Sequence, residues 1–294
     1  MGKKLEKLRK FIKNLPIFKL DKRQRFVLVS FVLSLFLFGT QNVKIAEQRF
    51  VIIALFGVIT YLLTAFALYE DLEGIEWLTL LALPVLFAVS VAFFVPLLPR
   101  SVDSISIFPL LPDEARAVAV FIKFGFWIFF GLGYYFMLLT ENIYNVSAIR
   151  TIQLLRAAHA IGFLFTLITS FLLFNVLFSL EANFIINFFG VFIICFPLIL
   201  QGLWTVNLEE GITYSVGKYT TVLTLCISQV ALVLSFWPID PTMNALVLTA
   251  VLYELLGISQ HHFSGRLVKR AVYEFAFVAG VVFLMMLTVT KWTG

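Results

Sequence analysis

The chain has 294 residues, of which 61% are hydrophobic and 13% charged, with a mean hydropathy of +0.99; soluble domains are about a quarter charged. One water-soluble core cannot hide that much apolar surface, which leaves a bilayer as the solvent, where about 20 apolar residues make one spanning helix. The net charge of +5 does not describe a nucleic-acid-binding surface: the first 25 residues carry ten Lys/Arg against Glu6 and Asp21, a local +8, so the remainder is −3.

In that basic stretch Leu5, Leu8, Ile12 and Leu15 recur at helical spacing, with Lys3, Lys4, Lys7, Arg9, Lys10 and Lys13 between them, and Pro16 ends the pattern. The spacing predicts an amphipathic helix on an anionic membrane surface, each cation there worth about 1 kcal/mol. Residues 1–25 therefore read as a cytoplasmic arm that contacts lipid headgroups, and residues 26–294 as a single helical transmembrane domain. A cleavable signal peptide is not expected, because no small-x-small site follows the apolar run ending near Phe38.

Nine apolar runs follow, about Phe26–Thr40, Phe50–Tyr69, Trp77–Leu98, Ala117–Leu139, Ala158–Leu180, Phe184–Val206, Tyr219–Trp237, Met243–Ser259 and Ala271–Thr290. Membrane strands would be half as long and would alternate polar with apolar, so the fold class is all-α, a polytopic bundle of about nine transmembrane helices. Placing the basic arm inside also puts Arg150, Arg156, Lys218, Arg266, Lys269 and Arg270 inside, which predicts N-in and C-out in the cytoplasmic membrane. The short Met243–Ser259 run leaves eight crossings as the fallback. Between helices, Pro99–Arg116 reads as an exterior loop. Thr140–Ala157 reads as an interior loop with a second surface-lying helix, and the glycosylation-like Asn145-Val-Ser147 inside it is set aside on topology.

Ionisable groups inside spanning helices are costly, so each is a functional hypothesis. Lys123, His159, Glu254 and Glu274 qualify. Lys123 lies near enough to a helix end to snorkel. The stretch Tyr253–Glu274 gathers the most: Glu254, His261 and His262 share one helix face, and Arg266, Arg270 and Glu274 share another, on two antiparallel neighbours. Such a set suits proton relay or headgroup binding, or else resolves into an Arg270–Glu274 pair with the imidazoles at the interface. A second candidate is Pro197, which strips a helix carbonyl of its donor, with Gln201, Ser228 and Gln229 available to satisfy such groups.

Cys195 and Cys226 lie in apolar runs and offer no metal-ligand spacing, so neither a metal nor a cofactor is expected. The expected partners are the bilayer, anionic headgroups at the arm, and a second copy or another membrane protein. A non-enzymatic role in solute or lipid transport, or in membrane assembly, fits best. The alternative is an intramembrane enzyme acting on a lipid-linked substrate at the cytoplasmic face through Glu254, His261, His262 and Glu274.

Two resemblances bear on this. Glu209-Glu210 followed by His261-His262 is similar in residue type to the intramembrane CAAX-processing protease family, whose pattern is Glu-Glu-x-x-x-Arg and later Phe-x-x-x-His. Tyr214 stands where that pattern has Arg, and no Phe stands four before either His. The segment Gln260–Glu274, with the basic arm and Phe-rich helices, resembles uncharacterised multi-pass membrane proteins of reduced-genome candidate bacterial phyla, which implies no activity.

Overall fold

The computed structural model describes residues 20–40, 46–69, 72, 74–98, 112–149, 153–209 and 211–290. The basic arm through Lys13, most of the 99–116 loop, Arg150 and Glu210 lie outside these residues. Within them the chain is helical throughout: α1 (Lys22–Thr40), α2 (Ala46–Leu68), α3 (Glu76–Phe94, extended by a single 3-10 turn, Val95–Leu97), α4 (Pro112–Ile149), α5 (Leu155–Ser179), α6 (Phe184–Asn207), α7 (Tyr214–Leu234), α8 (Pro241–Phe263) and α9 (Lys269–Val289). All nine are long and apolar enough to cross a membrane. The short Met243–Ser259 run lies in a full-length helix because Asp240 and Pro241 start it and His261 and His262 extend it.

Local chemistry sets the helix ends. Asn183 caps α6 by accepting from the amides of Ile185 and Ile186, both at 3.0 Å, as short polar side chains do where the first helical amides lack partners. Leu208 ends α6 in the left-handed conformation (φ 52°), and Gly265 turns the chain after α8 at φ +64°; the glycine takes that angle without a Cβ penalty.

One expectation fails. Thr140–Ala157 is not a loop with its own helix, because α4 continues to Ile149 and α5 begins at Leu155. The polar run Thr140-Glu141-Asn142 lowers hydropathy, yet no Gly or Pro lies between Gly133 and Gly162 to stop the helix. Arg25, the last residue of the sequence-defined arm, is already within α1; it is fully buried with its guanidinium 4.7 Å from the centre of the Tyr69 ring, a cation–π contact in a dry setting.

Two apolar cores hold the bundle. The first joins α1 to α4 through Leu33, Phe56, Leu80, Phe87, Tyr134 and Met137. The second joins α5 to α8 through Phe174, Val191, Ile199, Ile227 and Leu248. They meet where α3 packs on α5 and α6. In contrast, α9 rests on α8 and buries only Phe275 and Met286. The outer surface is rich in large apolar side chains such as Phe121 (79% exposed), Phe129 (77%) and Phe277 (72%). So much exposed apolar surface is foreign to a water-soluble monomer and suits lipid, so nine such helices point to a membrane protein.

Candidate functional site

The end of the bundle where α1 starts contains a polar chamber built from α3, α4, α5, α6 and α8. Its keystone is Gln201, one turn beyond Pro197 in α6 and 4% exposed. The Leu83 amide, next to Pro84 in α3, donates to Gln201 Oε1 at 3.0 Å, and Gln201 Nε2 donates to Glu141 Oε1 at 2.7 Å. A backbone N–H can only donate, so this contact fixes which end of the amide faces the carboxyl. At a rise of about 1.5 Å per residue, Leu83, Glu141 and Gln201 lie at similar depths, about 9 to 12 Å from their helix ends. Two proline-bearing helices and α4 are thus bonded together at one level.

Glu141 is fully buried, and its Oε2 has no hydrogen-bond partner among the described residues. Asn145 lies one turn further along the same face of α4, is 1% exposed, and leaves both Oδ1 and Nδ2 unpartnered among the described residues. Buried polar atoms nearly always find partners, and each one left open costs about 1–3 kcal/mol. Three such atoms lie on one face of α4, within one turn of each other.

Beside them is a cavity of about 10 Å³ lined by residues including Tyr144, His159, Gly162, Gln201, Thr205 and Gln260, room for about one water molecule. Its walls are polar and fixed. The Tyr144 hydroxyl donates to the Ala158 carbonyl at 2.8 Å, His159 Nε2 bonds the Thr205 carbonyl at 2.8 Å, and Gln260 Nε2 donates to the Gly202 carbonyl at 2.8 Å. Tyr144 fits only because residue 162 is glycine: a Cβ there would lie 2.5 Å from its hydroxyl. One layer deeper, Tyr134 and Thr64 share a hydroxyl–hydroxyl bond of 2.6 Å between α4 and α2.

The hairpin singled out by sequence is arranged differently. Glu254 is half-buried in the wall of an apolar groove of about 520 Å³ between α7, α8 and α9, among Trp237, Val251, Gly280 and Phe283. Glu274 is exposed and pairs with Arg270, also exposed, at 3.1 Å. The part of α9 facing Glu254 lies about 9 Å deeper than Glu274, six residues on, so this hairpin does not set the two carboxyls side by side. His261 bonds the Gly257 carbonyl of its own helix at 2.9 Å and lies edge-on to Phe275. His262 turns to Tyr219 of α7 instead, with 3.4 Å to its hydroxyl. Arg266 is exposed at the turn.

Of the second candidate group, Gln201 reaches the chamber, but its partners come from α3 and α4. Ser228 bonds the Thr224 carbonyl at 2.8 Å within α7, and Gln229 faces outward. Lys123 is half-buried in α4. Glu209 is exposed and accepts hydrogen bonds from Thr213 and from Asn207, the last residue of α6.

Glu141, Tyr144 and Asn145 are not among the residues that the sequence singles out, because the polar run Thr140-Glu141-Asn142 reads as the start of a loop. The signal that would have found them is the lack of a helix breaker after Gly133, which places Tyr134, Glu141 and Asn145 on one stripe at i, i+7 and i+11. Among the described residues no three His, Cys, Asp or Glu gather as a metal-binding group.

No curated protein and no solved structure matches this chain. A family model described as a protein of unknown function, DUF5656, matches residues 115–289, which hold Glu141, Tyr144, Asn145, His159, Gln201, Thr205 and Gln260. That match spans more than half of the sequence, and the chain belongs to the DUF5656 family of proteins of unknown function.

Proposed function

We propose that this protein is a non-enzymatic carrier of the cytoplasmic membrane, N-in and C-out, that moves a small solute by exposing its polar chamber to the two faces in turn. The observation that carries this reading is the pair Glu141 and Asn145, fully enclosed by the bundle with three polar atoms open. A purely structural bundle gains nothing from such a pair: apolar residues of similar volume pack as well without the burial cost. The polar groups that line the cavity favour a polar solute over a lipid tail. On the same reading the arm's Lys3, Lys4, Lys7, Arg9, Lys10 and Lys13 hold the inner end against anionic headgroups.

The test needs no knowledge of the solute. In a Cys195→Ala/Cys226→Ser background, Asn145→Cys and Thr205→Cys are each treated with a membrane-impermeant maleimide in right-side-out and in inverted vesicles. A carrier gives labelling from both faces, because the chamber opens to each in turn. Labelling from neither face, or from one face only, overturns the reading.

A further inference from the structure

We infer that the chamber is a proton site: Glu141 takes up a single proton on Oε2 from the near end of the bundle, by way of the cavity beside Tyr144 and His159. The inference deepens the carrier reading by naming the coupling ion, and it rests on geometry around one carboxyl.

The donor set is wrong for a metal cation. Such an ion needs several convergent oxygens, yet the group held against Glu141 Oε1 is the Nε2 of Gln201, with its orientation locked by the Leu83 amide on the other end. An amide N–H₂ repels a cation on that side and leaves Oε2 as the open position. What Oε2 can accept without further ligands is a proton, which forms an O–H bond and makes the acid neutral. The reverse step returns the proton to water, and nothing else is made or broken.

The other groups around Glu141 are consistent with this. On α4 itself Tyr134 and Tyr144 lie within electrostatic reach of the carboxyl. From α5 come His159, at the cavity wall, and Arg156, exposed. On α1, Arg25 is stacked over Tyr69, with Lys22 and Arg23 at the helix start. The ionisable group of α3 is Glu76, in its first turn, and that of α6 is the buried Cys195 thiol. Gln201 is the one hydrogen-bond partner of Glu141 among the described residues.

On this proposal the proton enters past His159. His159 is partly exposed, four residues into α5, and faces the same small cavity as Gln201 and Tyr144, the residues that flank Glu141. The cavity has room for about one water, which in this proposal carries the proton onward past Gln201 and Tyr144 to the carboxyl.

Infrared difference spectroscopy on the full-length protein in lipid nanodiscs tests the inference. A pH step should give one protonated-carboxyl C=O band, equivalent to about one group per chain, whose intensity falls about tenfold per pH unit above its midpoint. Glu141→Asp, which keeps the acid, should shift that band, whereas Glu254→Gln and Glu274→Gln should leave it in place. Adding NaCl or KCl at constant pH should not remove it. Absence of such a band at every pH, a band unmoved by Glu141→Asp, or a band removed by sodium or potassium overturns the proposal. The measurement is independent of the vesicle labelling above: an Asp-sensitive band without two-sided labelling leaves a proton site in a protein that is not a carrier, and the converse leaves a carrier that couples to something else.

Discussion

Glu141 and Glu254 are both carboxyls inside apolar helices, and the bundle treats them in opposite ways. Glu141 sits among polar groups from several helices; it bonds an amide held by a backbone N–H of a third helix, with a buried asparagine one turn away and a water-sized cavity beyond Gln201. Glu254 sits where α9, the least buried helix, leaves an apolar groove, and its neighbours are alkyl and aromatic. The lesson is that a carboxyl in a membrane helix becomes a site only when several helices supply polar groups at its depth. The histidine- and arginine-rich hairpin, though denser in charge, meets that condition less well because its groups lie near the end of the bundle and face different neighbours.

The comparison can be broken most sharply at Gln201. Gln201→Leu strands the Leu83 amide and Glu141 Oε1 together, and should lower stability by about 2–4 kcal/mol in reversible detergent-denaturant unfolding, since each buried orphan costs about 1–3 kcal/mol. A loss below about 0.5 kcal/mol would mean that the chamber is not a bonded unit. Next is Gly162→Ala, which drives a methyl against the Tyr144 hydroxyl; overpacking of this kind costs about 1–3 kcal/mol. Tyr144→Phe in the same background should recover part of the loss in a double-mutant cycle, and strictly additive effects would count against direct contact.

Glu254→Leu tests the other side of the comparison. Its groove is apolar, so removing the carboxyl should leave stability unchanged or raise it by up to about 2 kcal/mol, because ionisable groups in spanning helices are costly. A drop of similar size would show that Glu254 has a polar partner after all. The smallest effect is expected at the exposed Arg270–Glu274 pair. Glu274→Gln should change stability by less than about 0.5 kcal/mol, and the change should shrink further in high salt. A larger effect would promote the hairpin from interface to site.

Much of the architecture was legible in the chain. The nine apolar runs coincide with nine helices because 20-residue hydrophobic stretches have one solution in a bilayer, a helix that satisfies its own backbone. The expected Arg270–Glu274 pair was also readable, since i, i+4 contacts are local. The chamber was not. Glu141 looked like the start of a loop because hydropathy averages over a window and cannot distinguish a polar residue facing water from one facing other helices. Gln201 was picked out by its proline, but its partners, Leu83 and Glu141, lie 118 and 60 residues away in sequence, and no local pattern links them.

The sequence by itself determined the apolar solvent, the helical class and the position of the long apolar segments, because each of these follows from summed transfer energies along a segment. Only the tertiary structure decided which polar groups meet. That depends on helix rotation and on which neighbours close around a given depth, and here those contacts gather Gln201, Glu141 and Asn145 into an enclosed chamber while spreading the charged hairpin along the rim.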